Sequence, residues 1–191
     1  ITNNGDVNVA NQLLVEVSDE GEGQVKFHFT NASDGTASSI TDIYFEDGGL
    51  FGIAEIEWGN QTGVSFNTPA NPADLPGGNS LTPQFQTTVN FSADSDVPVQ
   101  ANGVNPGEYV DIIFNLKNDI TFDYVISALE NGVIAPAPGT DTTLRIGLHV
   151  QSIGAAGDSE SYVNTPIPAS ALLLGTGFMG LGLLGFRRKK V

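Results

Sequence analysis

The only two imidazole groups of the chain belong to His28 and His149, and imidazole is both a common metal ligand and a proton carrier near neutral pH. Apolar residues alternate with polar ones around each histidine, which predicts that both lie on the polar face of a strand. If these strands faced each other, the pair could bind a metal ion together with a carboxylate. The alternative is two separate surface histidines. The sequence has no His-Glu-x-x-His motif and no Gly-x-Ser-x-Gly motif, so neither a zinc protease nor a serine hydrolase is indicated.

Carboxylates occur in close pairs, namely Glu55 with Glu57, Asp94 with Asp96, and Glu46 with Asp47. Residues two apart on a strand lie roughly 7 Å from each other on the same face. A glycosidase needs two carboxylates at roughly 5–9.5 Å, but any acidic pair of this spacing meets that condition. We therefore predict no catalytic residues and expect a non-enzymatic protein, with a secreted glycoside-active enzyme as the weakest alternative.

The same carboxylates are suited to calcium, which prefers oxygen ligands. The loop with Asp94 and Asp96 is the candidate metal site, and the acidic turn at 19–22 is a second possibility. Neither matches a complete calcium-loop motif, so calcium is the one cofactor left open. The single tryptophan, Trp58, is either a sugar-stacking platform or a core residue, and burial would favour the core.

These residues must be positioned by short strands. Most segments of the chain alternate between apolar and polar residues, and Gly- and Pro-rich loops separate them. The pattern favours one helix at 121–131, which Thr121 caps and Gly132 ends. The predicted strands cover 12–17, 24–31, 40–45, 52–58, 85–91, 108–116 and 144–153, with a last short strand at 161–164. We therefore predict a mostly β fold, an antiparallel β-sandwich with jelly-roll-like connections and one short helix, over residues 1–164.

Charge and cysteine content narrow the class of protein further. Residues 1–164 hold all 22 acidic residues but only three basic ones, Lys26, Lys117 and Arg145. Such an acidic domain is a poor partner for nucleic acid, which is bound by clustered Arg and Lys. The chain has no cysteine, so its fold depends on packing without disulfides. It starts at Ile1 without a leader, and we interpret this as a signal peptide already removed.

The last residues, 165–191, have a different composition. Pro166-Ile167-Pro168-Ala169 is followed by an uncharged apolar run over 169–186 and then by four basic residues, Arg187, Arg188, Lys189 and Lys190. At a rise of ~1.5 Å per residue the run would form a helix of roughly 27 Å, close to the thickness of a bilayer core. The sequence predicts a C-terminal transmembrane helix whose basic end stays in the cytoplasm.

This order of proline motif, apolar helix and basic stop resembles the PEP-CTERM sorting signal of Gram-negative bacteria, in its Pro-x-Pro-Ala variant. Ile167 is a departure, since the commonest form has Glu there. The resemblance implies export, transient anchoring in the inner membrane, and processing by an exosortase, so that the protein ends at the cell surface or outside the cell. An ordinary single-pass tail anchor is the alternative.

Together these features predict a cell-surface or extracellular-matrix protein, associated with biofilm or exopolysaccharide, whose domain is passive or self-associating. A second hypothesis is an extracellular carbohydrate-binding module, with or without calcium. An exposed aromatic strip on a sheet would favour it.

Overall fold

The computed structural model describes residues 5–57, 62–117, 119–134 and 142–164, with the side chains of 53–57 excepted. Trp58, the proline motif, the apolar run and the basic stop lie outside the described residues. The described strands are β1 (Leu13–Gly21), β2 (Gln24–Asn31), β3 (Ser39–Asp47), β4 (Phe51–Glu57), β5 (Phe66–Asn67), β6 (Ser92–Ser95), β7 (Tyr109–Leu116), β8 (Leu144–Ile153) and β9 (Asp158–Val163). The α-helices among them are α1 (Val99–Asn102) and α2 (Phe122–Ile134).

The strands form two antiparallel sheets. The four-stranded sheet has the order β1-β2-β7-β4, and the five-stranded sheet has the order β5-β6-β3-β8-β9. Consecutive strands such as β6, β7 and β8 alternate between the sheets, so the chain crosses from one to the other repeatedly. This confirms the prediction of a mostly β, sandwich-like fold with few helices, whereas the jelly-roll-like connectivity stays a prediction.

The core between the sheets is built by alternation along each strand. On β2, Val25, Phe27 and Phe29 are fully buried, while the residues between them are half-buried on the outer face. The ring of Phe27 meets the ring of Phe45 on β3 edge to face, with centroids 5.2 Å apart, so the two sheets contact each other through aromatic side chains. Burying one such side chain stabilises the fold by roughly 1.5–3 kcal/mol.

The five-stranded sheet is buried on both faces at β3, where every residue is buried. Its inner face packs on the main core, and its outer face is covered by the segment 68–86, which we call the strap. Strap residues Ala70, Leu75 and Phe85 form a second apolar cluster with Tyr44 of β3. The strap therefore explains why β3 lacks the polar outer face that an uncovered antiparallel strand would have.

The predicted strand at 85–91 was wrong. Phe85 and Phe91 do alternate with polar residues, but Phe85 belongs to the strap cluster while Phe91 packs against the main core. A turn lies between them: the Phe91 amide donates to the Thr88 carbonyl oxygen at 2.9 Å, and Asn90 adopts φ 67°. The strand here is β6, which the sequence analysis had taken for a loop.

Helix α2 confirms the predicted helix and its cap, since the Tyr124 amide donates to Thr121 Oγ1 at 3.3 Å. Gly132 was expected to end the helix, but it lies inside it. A Cβ at this position would come within 2.1 Å of the Leu144 carbonyl oxygen. The glycine is thus needed because the helix approaches β8 closely. The short helix α1 was not predicted.

Candidate functional site

A half-buried group of polar side chains lies on the outer face of the four-stranded sheet. His28 on β2 and Asp111 on β7 are directly opposite each other, with His28 Nδ1 2.5 Å from Asp111 Oδ1. The imidazole also contacts the ring of Tyr109, with centroids 4.8 Å apart and planes inclined by 41°. Glu16 on β1 is opposite His28 on the other side. We call Glu16, His28, Tyr109 and Asp111 the ring-pair site.

Solvent reaches this site from the outer side of the sheet. The side chains of His28 and Asp111 are 26% and 16% exposed, Glu16 is exposed, and Leu14 beside it is 45% exposed. The helices pack mainly on the five-stranded sheet, α1 on β3 and β6 and α2 on β8. The site therefore presents two neighbouring rings and a carboxylate held in place by its contact with His28.

The other histidine belongs to a second, deeper network on the outer face of the five-stranded sheet. His149 Nδ1 on β8 is 2.8 Å from Asp42 Oδ2 on β3. The same carboxylate accepts hydrogen bonds from Thr41 Oγ1 at 2.7 Å and from the Tyr44 hydroxyl at 3.4 Å. Burial raises the pKa of the Tyr44 hydroxyl, and the nearby Asp42 carboxylate adds to this. Tyr44 also donates to the Pro72 carbonyl oxygen at 3.1 Å, so this network holds the strap.

The two histidines consequently do not meet, because they lie on different sheets and on opposite outer faces of the molecule. A shared metal site, which the sequence left open, is not formed. Ser161 lies opposite His149 on β9, so Ser161, His149 and Asp42 have the residue types of a hydrolytic triad. Ser161 is fully buried, however, and its hydroxyl cannot reach a substrate as a nucleophile must.

The predicted calcium ligands Asp94 and Asp96 lie at and just after β6. Asp94 is opposite Asp42, and one of its oxygens accepts the Asn71 amide at 3.3 Å. Burial raises the pKa of Asp94, the Asn71 hydrogen bond opposes that shift, and the Asp42 carboxylate adds to it. Asp96 accepts a hydrogen bond from Ser65 Oγ at 2.5 Å and another from Asn67 Nδ2. No group of three metal-ligating side chains is present within the described ranges, and calcium binding stays a prediction.

The other acidic pairs have structural roles where the structure describes their side chains. Glu46 forms a buried ion pair with Arg145, with Glu46 Oε2 and Arg145 Nη2 2.6 Å apart. Asp47 instead accepts the amides of Gly49 and Leu50, at 3.0 and 2.7 Å, and so shapes the turn between β3 and β4. The side chains of Glu55 and Glu57 lie outside the described ones. Their backbone pairs with β7, where Glu57 is opposite Asp111.

Sequence reasoning missed Tyr109 and Asp111 because the run 109–114 is almost continuously apolar, which is typical of a strand buried on both faces. In the structure Val110, Ile112 and Phe114 face the core, while Tyr109 and Asp111 belong to the outer face. The signal in the sequence was the parity of Asp111, which alternates with the apolar residues Val110 and Ile112.

Comparisons with protein-family models, with curated proteins and with solved structures find nothing that matches this chain. In the ranges that the structure describes, no helix has both the length and the apolar character needed to cross a membrane.

Proposed function

We propose that the protein is a non-enzymatic component of the cell surface or extracellular matrix, delivered by a C-terminal sorting signal. The observation that carries this proposal is the order of the last residues: Pro166-Ile167-Pro168-Ala169, an uncharged apolar run to residue 186, and four consecutive basic residues. The precursor is held in the inner membrane by a transmembrane helix over 169–186, with residues 1–164 outside the cytoplasm. An exosortase-type enzyme then processes it near the proline motif.

The described domain supports this arrangement because it closes just before the motif begins. Strand β9 ends at Val163, and Asn164 is tied to β8. The Asn164 amide donates to the Ile146 carbonyl oxygen at 3.0 Å, and the Ile146 amide donates to Asn164 Oδ1 at 2.8 Å. Within the described residues these contacts end at Asn164, two positions before Pro166, so processing beyond the motif would leave them intact.

The chemistry within the domain also favours a structural role. Glu46 and Asp47 are engaged in contacts that hold the strap and a turn, and His149 lies in a network that holds the strap to β3. We propose a sandwich with jelly-roll-like connections that acts as a stable exported module.

The test is to change the motif and follow the C-terminus. In cells that contain the cognate enzyme, Pro166→Ala with Pro168→Ala should accumulate as a membrane-bound precursor, whereas the unchanged protein should lose its four terminal basic residues. Intact mass measurement and fractionation report both outcomes. The matched control is Pro136→Ala with Pro138→Ala, which alters the chain's other Pro-x-Pro sequence and should leave processing intact. Full-length protein in the extracellular fraction would contradict the proposal.

A further inference from the structure

We infer that the ring-pair site binds a polysaccharide whose sugars carry free amino groups. The inference builds on the proposed location outside the cytoplasm, where a surface protein meets extracellular polysaccharide. It adds a ligand class and a defined set of residues, and its test is carried out on purified protein and does not depend on processing.

The outer face of the five-stranded sheet is already occupied. The strap covers the outer face of the five-stranded sheet through the cluster of Tyr44, Ala70, Leu75 and Phe85. The Arg145 guanidinium also binds the strap, because it donates hydrogen bonds to the carbonyl oxygens of Pro83 at 3.2 Å and Gln84 at 2.5 Å. Within the described part of the chain, this leaves the outer face of β1 and β2, with Tyr109 and Asp111 on β7, as the sheet face that a ligand can approach, whereas Ile113 farther along β7 is buried.

The side chains on the outer face of β2 and β7 include two aromatic rings. Tyr109 and His28 bring two rings into contact, with centroids 4.8 Å apart and planes inclined by 41°, on a partly exposed sheet surface. Aromatic faces combine apolar area with a polar edge, which suits them to pack against the ring of a sugar. Asp111 is positioned beside the rings by its 2.5 Å contact with His28, so its carboxylate can accept hydrogen bonds from groups on the same ligand.

Negative charge at the site favours a cationic ligand. Glu16 and Asp111 flank His28 in one row across three strands, and the backbone of Glu57 continues the row on β4. Lys26, the one lysine on β2, is paired with Glu20 at 2.8 Å. The whole chain has 22 acidic residues against seven basic ones, so acidic polysaccharides are repelled. An ammonium group on the sugar would instead be attracted both by the carboxylates and by the tyrosine ring.

The experiment measures binding to the full-length chain, kept in a mild non-ionic detergent, by calorimetry at a pH where amino sugars are protonated. The probes are a glucosamine hexamer, its fully N-acetylated form and a lysine hexamer. We expect the glucosamine hexamer to bind at least about tenfold more tightly than the acetylated one, since an ammonium–carboxylate contact is lost on acetylation. Binding should also weaken as salt is raised.

Variants then locate the site. Glu16→Gln and Asp111→Asn should each weaken binding several-fold, and Tyr109→Ala should weaken it more than Tyr109→Phe, which keeps the ring. The charge-matched control is Asp123→Asn on helix α2, which should leave the affinity unchanged. The thermal midpoint of each variant confirms that it is folded. Equal affinity for the two hexamers, equal affinity for the lysine hexamer, or an equal loss in Asp123→Asn would each overturn the inference. The processing test above is unaffected by any of these results.

Discussion

The ionised Asp94 carboxylate lowers the stability of the folded state. It is half-buried opposite Asp42, and burial raises its pKa, with the like charge of Asp42 adding to the shift. A carboxyl whose pKa is higher in the folded state favours folding only when protonated. Its contribution is complete below the ordinary aspartate pKa of about 3.9 and is lost as pH rises through the folded value.

We therefore predict that Asp94→Asn is more stable than the unchanged protein at pH 7 and equally stable at pH 3. The asparagine oxygen can still accept the Asn71 amide, so the hydrogen bond is kept while the charge is removed. Because Asp94 is only half-buried, solvent screens part of its charge, and the gain should be below about 1 kcal/mol. Urea unfolding at the two pH values measures it, with Asp34→Asn in an exposed turn as the control. A less stable variant at pH 7 would show that the ionised form is the one the fold uses.

The same residue carries the calcium prediction. If Asp94 and Asp96 bind Ca²⁺, millimolar Ca²⁺ should raise the melting temperature more than Mg²⁺ at equal ionic strength, because binding to the folded state alone adds stability. At a concentration ten times the dissociation constant this amounts to about 1.4 kcal/mol. Asp94→Asn with Asp96→Asn should abolish the excess, while Asp119→Asn with Asp123→Asn should not. No difference between the two cations would mean that these carboxylates serve only the contacts with Ser65, Asn67 and Asn71.

Among the elements, the strap has a greater effect on the fold than its irregular backbone suggests. It turns the outer face of β3 and β8 into a second interior, where the Glu46–Arg145 ion pair has side chains only about 5% exposed. Arg145 also lies over the ring of Phe85, 5.3 Å from its centroid. The ion pair is thus joined to the apolar cluster of the strap.

Breaking this pair on one side should be costly. We predict that Arg145→Met destabilises the protein by about 3–5 kcal/mol, since it leaves the Glu46 charge buried without its partner. The double change Arg145→Met with Glu46→Leu should recover part of that loss, because no unpaired charge remains. Denaturant unfolding of the single and double variants measures the coupling. If the double variant were as unstable as the sum of its single changes, the two side chains would act independently.

Sequence analysis recovered the strands whose apolar and polar residues alternate along the sequence. β2 matches its predicted bounds because a single core face sets its alternation. β8 matches as well because its apolar residues alternate along the sequence, although the strap also buries the outer face of its first half. The misread segments depend on contacts distant in sequence. Phe85 and Phe91 look like one strand but fill two clusters, Arg145 looks solvent-facing until the strap covers it, and Gly132 looks like a helix stop until β8 approaches. The pairing of His28 with Asp111 likewise required the strand register, which the pattern alone did not supply.

At the scale of the whole molecule, the strand arrangement predicts that the domain folds independently, and the acidic composition predicts that its stability depends on salt. Residues 1–164 should fold alone as a β-rich domain, because they contain every described strand of the two sheets and Asn164 is hydrogen-bonded to Ile146 on β8. Reducing agent should not change its melting temperature, since the chain has no cysteine. Low salt should weaken it, because 22 acidic residues repel one another over a screening length of about 30 Å at 0.01 M salt, against about 8 Å at 0.15 M.

Circular dichroism and thermal melting of the 1–164 fragment at these two salt concentrations check the prediction. We expect a β-type spectrum and a midpoint that rises by a few degrees between them, since about 1 kcal/mol corresponds to a shift of roughly 2–4 °C in a domain of this size. A fragment ending at residue 157 is the matched control: it lacks β9, exposes β8 as an edge, and should be unfolded or aggregate. A disordered spectrum for 1–164 would show that the tail contributes to the fold, and a midpoint independent of salt would show that the acidic residues are too far apart to oppose it.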